Sequence, residues 1–453
     1  MFQRVLIANR GEIAQRILRA CAELGIESVV IHSEADRDAP WLAGAGRTIC
    51  VGPPPSADSY LNQDAVLQAA EQADCQAIHP GYGFLAENAL FAARCSQQGI
   101  TFVGPTSHAI RLMGNKSEAK RTMASCGLTT IPGSDGALAD LGEAVAVARK
   151  LGYPVLLKPS AGGGGKGMRL CENEKQLEKA FPEAGLEAEK AFGDPTLYLE
   201  KQIVPARHIE FQVLCDAFGK AVHLGERECS IQRQHQKLIE ESPSPVVDEE
   251  TRRSVGRGVA QAVAGFGYVG AGTVEFLRGE DGSLYFMEMN TRLQVEHPVT
   301  EMLTATDIVV EQLRIAANER LRIRQEEVRF RGHAIEFRVN AEDPANGFRP
   351  DPGRIDGFAP PRTDLPDVEL RWDSAVREGY RIPPYYDSLI GKLIVRGKDR
   401  EETLTAAEGA LASLRIEGVR TTLPLHLRVL GDAEFRAGRY DIGYLERNGS
   451  DHG

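Results

Sequence analysis

The alternation of apolar and polar positions predicts a chain of mixed architecture. Val5-Leu6-Ile7-Ala8 is a short apolar run of the buried-strand type. Ile13, Ile17, Cys21 and Leu24 then recur at helical spacing over residues 12–24, Gly25 ends that helix, and Ser28-Val29-Val30-Ile31-His32 is a second strand. Strand, helix and strand in this order make a βαβ unit and predict a parallel sheet. Cys75-Gln76-Ala77-Ile78 and Ile100-Thr101-Phe102-Val103 read as further strands, and residues 107–126 as one helical stretch leading away. The pattern restarts as a smaller α/β unit over about 130–203, where strands at 154–160 and 168–171 flank a glycine run. Beyond it, residues 206–213 alternate, with His208, Glu210 and Gln212 on one face, and 251–265 form an amphipathic helix. Residues 273–277 and 284–290 read as paired strands across the turn-rich Gly279-Glu280-Asp281-Gly282-Ser283. A helix at 307–318, an alternating strand at 333–340, a strand at 392–395 and a helix near 400–414 complete the reading.

Several polar side chains break this pattern. In 284–290, period-two alternation puts Leu284, Phe286, Glu288 and Asn290 on one face, and Tyr285, Met287 and Met289 on the other. Paired strands would then set Glu275 beside Glu288, and two carboxylates with an amide oxygen suit a hard divalent cation. The same strand runs into Arg292, Gln294, Glu296 and His297, a density of polar groups that a solvated hairpin face does not need. Lys158 lies inside an apolar strand, and an inward lysine wants an anion. The adjoining Gly162-Gly163-Gly164-Gly165 can wrap phosphate with backbone N–H groups. It joins strand to strand and lacks Ser or Thr after Lys166, so it is not a P-loop, and G-x-G-x-x-G is absent after the first strand. His79-Pro80-Gly81-Tyr82-Gly83-Phe84 follows a strand, at the edge where open parallel sheets bind ligands. Residues 225–237 form a polar run between strand-like segments that a solvated loop would explain, and Arg16, Arg19 and Glu23 an exposed stripe that fits either a solvated face or a subunit contact.

Length and composition narrow the class. With 453 residues, two or three domains are expected, and 42% hydrophobic with 26% charged residues is an ordinary globular balance. A formal charge of −11 argues against nucleic acid as the main partner. Eight scattered cysteines without a C-x-x-C pair point to reduced thiols. No apolar run is long enough for a membrane span or a signal peptide, so a soluble, cytoplasmic protein is expected.

Taken in order, Ile7-Ala8-Asn9-Arg10-Gly11-Glu12-Ile13-Ala14, the His79–Phe84 loop, the glycine run, Arg207-His208-Ile209-Glu210, residues 232–237 and 288–298 resemble the biotin carboxylase family of the ATP-grasp superfamily. The resemblance spans nearly the whole chain. It implies an ATP-grasp fold of α/β and α+β character. The parts would be a Rossmann-like preATP-grasp domain at 1–114, a helical linker at 115–129, a mobile glycine-rich lid at 130–203 and a C-terminal domain at 204–453. By the same resemblance Lys116, Lys158, Gly164 and Gly165 hold ATP phosphates, Glu200, Lys201 and Ile203 meet adenine, and His208, Gln232 and His235 the ribose side. Glu275, Glu288 and Asn290 bind two Mg²⁺ ions, with Mn²⁺ as an alternative. Lys237, Arg292, Gln294 and Val295 cradle bicarbonate, Glu296 is the base, Arg338 faces the biotin ureido oxygen and Tyr82 borders the biotin pocket. Arg19 and Glu23 fall where the family forms a homodimer.

None of the seven methionines flanks a lysine, so biotin is expected on a separate carrier protein, with a carboxyltransferase elsewhere. Arg338 could instead merely pair with a neighbouring carboxylate such as Glu336 or Glu342. Another ATP-grasp ligase, such as a purine-pathway carboxylase or a carbamoyl phosphate synthase module, would share the metal strands without needing Arg338. A non-catalytic nucleotide-binding regulatory subunit would not need Glu296 and Lys237.

Overall fold

The computed structural model describes residues 1–160 and 167–448. Near the N-terminus, five parallel strands lie in the order Arg47–Cys50, Glu27–His32, Arg4–Ile7, Ala77–His79, Thr101–Phe102. The Gly11–Glu23 helix buries Ile13, Ile17 and Cys21 against one face of this sheet. Gly11 starts that helix with φ +69, a left-handed corner that favours glycine. The predicted helix over 107–126 is two helices, Ser107–Gly114 and Lys116–Ser125. Asn115 divides them, because its side chain accepts from the Glu118 amide as an N-cap. The Arg16, Arg19, Glu23 stripe is also not uniform. Arg16 is buried and bridges Glu301 (2.8 Å) and Asp307 (2.6 Å), whereas Arg19 and Glu23 are exposed.

The middle of the chain builds a three-stranded antiparallel sheet, Arg169–Cys171, Val155–Pro159 and Leu197–Lys201. The helices Leu141–Leu151 and Glu174–Phe192 cover it around a core of its own, including Val155, Leu157, Leu177 and Leu199.

The largest element is an eight-stranded antiparallel sheet. Its order is Leu284–Asn290, Gly270–Arg278, Arg207–Cys215, Ala221–Arg233, Gln236–Ser242, His333–Asn340, Leu389–Gly397, Glu369–Ser374. Alternation divides its strands: Ile209, Phe211, Val213, Val274 and Phe276 enter one apolar core, and Ile335, Phe337, Leu393 and Val395 another. His208, Glu210, Glu275 and Arg338, one residue out of step with these, face the cavity side. The polar run at 225–237 is therefore not a solvated loop. It is the end of one strand and the start of the next, joined at Gln234 (φ 46) and His235 (φ 68), the paired left-handed residues of a tight hairpin turn.

The 284–290 strand departs from strict alternation. Glu275 pairs with Glu288, but the next pair is Phe276 with Phe286, so Met287 is the extra residue of a β-bulge. The bulge turns Leu284 and Phe286 into the core with Met289, and leaves Glu288 and Asn290 on the cavity side without them. No helix among the described residues is long and apolar enough to cross a membrane.

Candidate active site

Every described candidate residue from the sequence lines one cavity of about 1070 Å³ between the three sheets. Gly164 and Gly165 lie outside the described residues. At one end, Lys237 Nζ donates to three carboxylates: Glu210 (2.6 Å), Glu275 (3.0 Å) and Glu296 (2.7 Å). Arg338 donates from Nε to Glu240 (2.6 Å) and from Nη2 to Glu296 (2.8 Å). Its partners are thus Glu240 and Glu296, not the Glu336 or Glu342 named from sequence. Arg292 donates to Glu87 (2.8 Å), Gln294 (3.0 Å) and Asn290 (3.2 Å).

Charge pairing decides the protonation states here. Burial alone would raise the Glu296 pKa, but Lys237, Arg338 and Arg227 hold it well below the usual carboxylate range. Burial would likewise lower the Lys237 pKa, but its three carboxylates raise it well above a free amine. Both groups are charged at neutral pH.

Glu275 carries this cluster across to Glu288, its cross-strand partner, and Lys116 and Lys158 line the same cavity. Glu275 accepts from Lys237, Asn290 (2.8 Å) and Gln294 (3.0 Å), while His208 Nε2 lies 3.0 Å away without hydrogen-bond alignment. Those contacts hold its pKa low against burial. Glu288 behaves oppositely, because burial and then the neighbouring Glu275 charge raise its pKa, and Lys116 and His208 offset this only from a distance. A buried carboxylate facing another carboxylate is the donor set a divalent cation stabilises. Two other groups have metal-capable atoms close together, His208 with Glu210 and Glu275, and Glu210 with Cys229 and Glu296. Both include Glu210, whose oxygens serve Arg227 (2.5 Å) and Lys237 (2.6 Å).

Toward the three-stranded sheet, Glu200 stands between Lys158 (2.5 Å) and Lys120 (3.3 Å). Lys201 turns its amine to the Gly152 (2.8 Å) and Tyr153 (3.2 Å) carbonyls. Sequence reasoning missed four groups that fix the site: Glu87, Glu210, Arg227 and Glu240. Glu210 and Glu87 stood in segments already marked, the alternating 206–213 strand and the loop after His79. For Arg227 only its place in the polar 225–237 run pointed to a use, and Glu240 lay outside any marked segment, since their partners come from other strands.

Residues 1–110 match the profile of the biotin carboxylase N-terminal domain, and 336–447 that of the biotin carboxylase C-terminal domain. Residues 115–324 match the ATP-binding domain of the carbamoyl-phosphate synthase L chain. The chain is 51% identical to the biotin carboxylase of Nostoc sp., over 98% of this chain and 99% of that one. The chain belongs to the biotin carboxylase family. It is 52% identical to the Pseudomonas aeruginosa biotin carboxylase, over 99% of this chain and 98% of its relative. Among solved structures, the biotin carboxylase domain dimer of Hydrogenobacter thermophilus 2-oxoglutarate carboxylase, in complex with MgADP, ADP and bicarbonate, superposes with a TM-score of 0.94. It is 49% identical, with 100% of this chain and 99% of that chain covered. The Campylobacter jejuni biotin carboxylase has a TM-score of 0.94 at 47% identity, with 99% of both chains covered. As a biotin carboxylase of the ATP-grasp fold, the protein is an ATP-dependent ligase that carboxylates biotin.

Proposed function

We propose that this enzyme uses the cavity to join bicarbonate to biotin N1 through carboxyphosphate, with ADP and phosphate as co-products. The observation that carries the reading is Glu296, held as a carboxylate between Lys237 and Arg338 in a cavity that Glu288, Lys116 and Lys158 also line. ATP would lie with adenine against Glu200, Lys201 and Ile203, its ribose toward His208, Gln232 and His235, and its phosphates near Lys116, Lys158, Gly164 and Gly165. Glu275, Glu288 and Asn290 would hold Mg²⁺, or Mn²⁺ in its place. Bound there, the metal would offset the charge of the phosphates.

Bicarbonate would sit among Lys237, Arg292, Gln294 and the Val295 backbone. Glu296 takes its proton, and the freed oxygen attacks the γ-phosphorus, displacing ADP. Lys237, the largest of the charges that depress Glu296, is also one that bicarbonate would engage, so sharing it with the anion would restore basicity when it is needed. Carboxyphosphate then breaks to CO₂ and phosphate, the phosphate accepts the biotin N1 proton, and N1 captures CO₂. Arg338 would stabilise the ureido oxygen as it becomes anionic, beside Tyr82. A carbamoyl phosphate synthase-like ligase would have no use for Arg338 here.

The unit at 130–203 would act as the lid, between an N-terminal domain at 1–114 with its linker at 115–129 and a C-terminal domain at 204–453. Biotin would arrive on a biotin carboxyl carrier protein and leave for a carboxyltransferase component. Arg19, Glu23 and the neighbouring Asp373, which Arg19 meets at 3.2 Å, would contribute to a homodimer contact. The eight free cysteines suit a reducing, cytoplasmic setting. The test is isotope transfer: ¹⁸O-labelled bicarbonate should deliver one label to the released phosphate. Unlabelled phosphate would exclude carboxyphosphate.

A further inference from the structure

Lys392 is a lysine with no exposed surface, on the Leu389–Gly397 strand. It pairs in register with Arg338 on one side and Asp373 on the other, so two cations sit directly opposite one another across adjacent strands. That juxtaposition is unfavourable unless each charge has its own use. The two aim at neighbouring groups: Arg338 at the Glu296 carboxylate, and Lys392 Nζ at the Val295 carbonyl, 2.8 Å away. Lys392 also meets Glu12 Oε1 at 3.0 Å, and the Tyr82 hydroxyl donates to that same oxygen. Glu12 is 5% exposed, and Tyr82 lines the cavity.

Three successive carbonyls of this segment are held by side chains. Leu293 accepts from Arg292 (3.1 Å), Gln294 from His297 Nδ1 (2.8 Å) and Val295 from Lys392. Burial and the charges of Lys392, Arg16 and Arg371 keep His297 neutral, as a donor to a carbonyl at Nδ1 and not a second cation. In a planar trans peptide the N–H points opposite to the carbonyl of the same unit. Tying the Gln294 and Val295 carbonyls inward therefore turns the Val295 and Glu296 amides outward, toward the cavity both residues line.

We propose that Lys392 is a positioning residue that fixes the anion-binding Val295–Glu296 peptide and links it, through Glu12 and Tyr82, to the wall of the cavity on the biotin side. This rests on the bicarbonate reading above. Tyr82 would not touch bicarbonate, so any influence it has on that substrate must pass along this chain of contacts. The two half-reactions then share one buried cation, and a change at the biotin wall is felt at the base.

The test measures bicarbonate KM in biotin-independent ATP cleavage, with ATP affinity and circular dichroism alongside. Lys392→Met combined with Glu12→Gln removes both charges and leaves neither buried alone. It should raise bicarbonate KM by about tenfold or more, the worth of a charged hydrogen bond, with ATP affinity nearly unchanged. Tyr82→Phe should raise bicarbonate KM by roughly two- to fivefold in the wild type, a coupling typical of residues in one network, and have no effect in the double variant. An unchanged KM in the folded double variant overturns the role of Lys392. Should that variant not fold, Tyr82→Phe decides: an unchanged KM overturns the linkage. Wild-type ATP cleavage that ignores bicarbonate would instead overturn the functional reading, which separates the two failures.

Discussion

Two neighbouring parts of the cavity are built on opposite principles. At the end proposed for bicarbonate, Lys237 has three carboxylate partners, Arg338 two, and Glu296 is bound by both cations, all between 2.6 and 3.0 Å. At the end proposed for the phosphates, the other charges act on Glu288 through space, and the largest of them is a like charge, that of Glu275. One end is finished before any ligand arrives, and the other is left with unbalanced charge. Groups that must stabilise charge as it develops gain most from being fixed in advance, because nothing then reorganises during reaction. Groups that recruit a cation gain from being mismatched without it, since binding then relieves repulsion.

The sharpest way to break this comparison is to reverse the mismatch. Glu288→Lys would meet Glu275 with an opposite charge and repel both metal and phosphates. ADP formation should fall by roughly 10³-fold or more while circular dichroism is preserved. Normal turnover would remove the metal assignment.

Glu296→Gln attacks the finished end. Loss of a general base costs about 10²–10⁴-fold. Bicarbonate-dependent ATP cleavage should fall within that range, with ATP affinity retained by equilibrium binding. A collapse of ATP affinity would show that the two ends are not separate.

Arg338→Gln divides the finished end itself. Carboxybiotin formation should fall about 10²–10³-fold, and biotin-independent ATP cleavage much less, so the variant consumes ATP without product. Following ADP and carboxybiotin in one reaction checks this, and equal losses in both would reject Arg338 as the biotin-side donor.

The smallest effect on turnover is expected at Glu241, a buried charge used for the scaffold alone. Burial would raise its pKa, but His333 (2.6 Å) and Arg400 (2.7 Å) bring it down to about 2. A carboxyl lowered on folding stabilises the native state above its unfolded pKa of about 4.3, and that contribution fades as pH falls toward about 2. The difference amounts to about 3 kcal/mol. Glu241→Gln should flatten the acid dependence of denaturant stability across that window, and leave turnover at neutral pH unchanged in the folded protein.

What could be read from the residues follows the same divide. The parallel strands and the Gly11–Glu23 helix were legible because each hides one apolar face, and periodicity reports faces. Glu275 opposite Glu288 was legible because a short loop sets the pairing. The bulge at Met287 was not, since an extra residue leaves no mark on composition, and it moved Phe286 to the core. The 225–237 run looked like a loop because its charges are neutralised by residues far away in the chain, as Arg227 is by Glu210 and Lys237 by Glu296. Burial of charge depends on the partner, which lies outside any local window. Arg16 looked exposed for the same reason, with Glu301 and Asp307 some 290 positions away.

The measurement that tests the central claim most directly is ADP release by the wild-type enzyme with Mg²⁺-ATP, with and without bicarbonate and free biotin. A preassembled base waiting at one end of the cavity predicts negligible release without bicarbonate, release with bicarbonate alone, and carboxybiotin formed together with ADP once biotin is added. ADP release of equal rate in the absence of bicarbonate would contradict it.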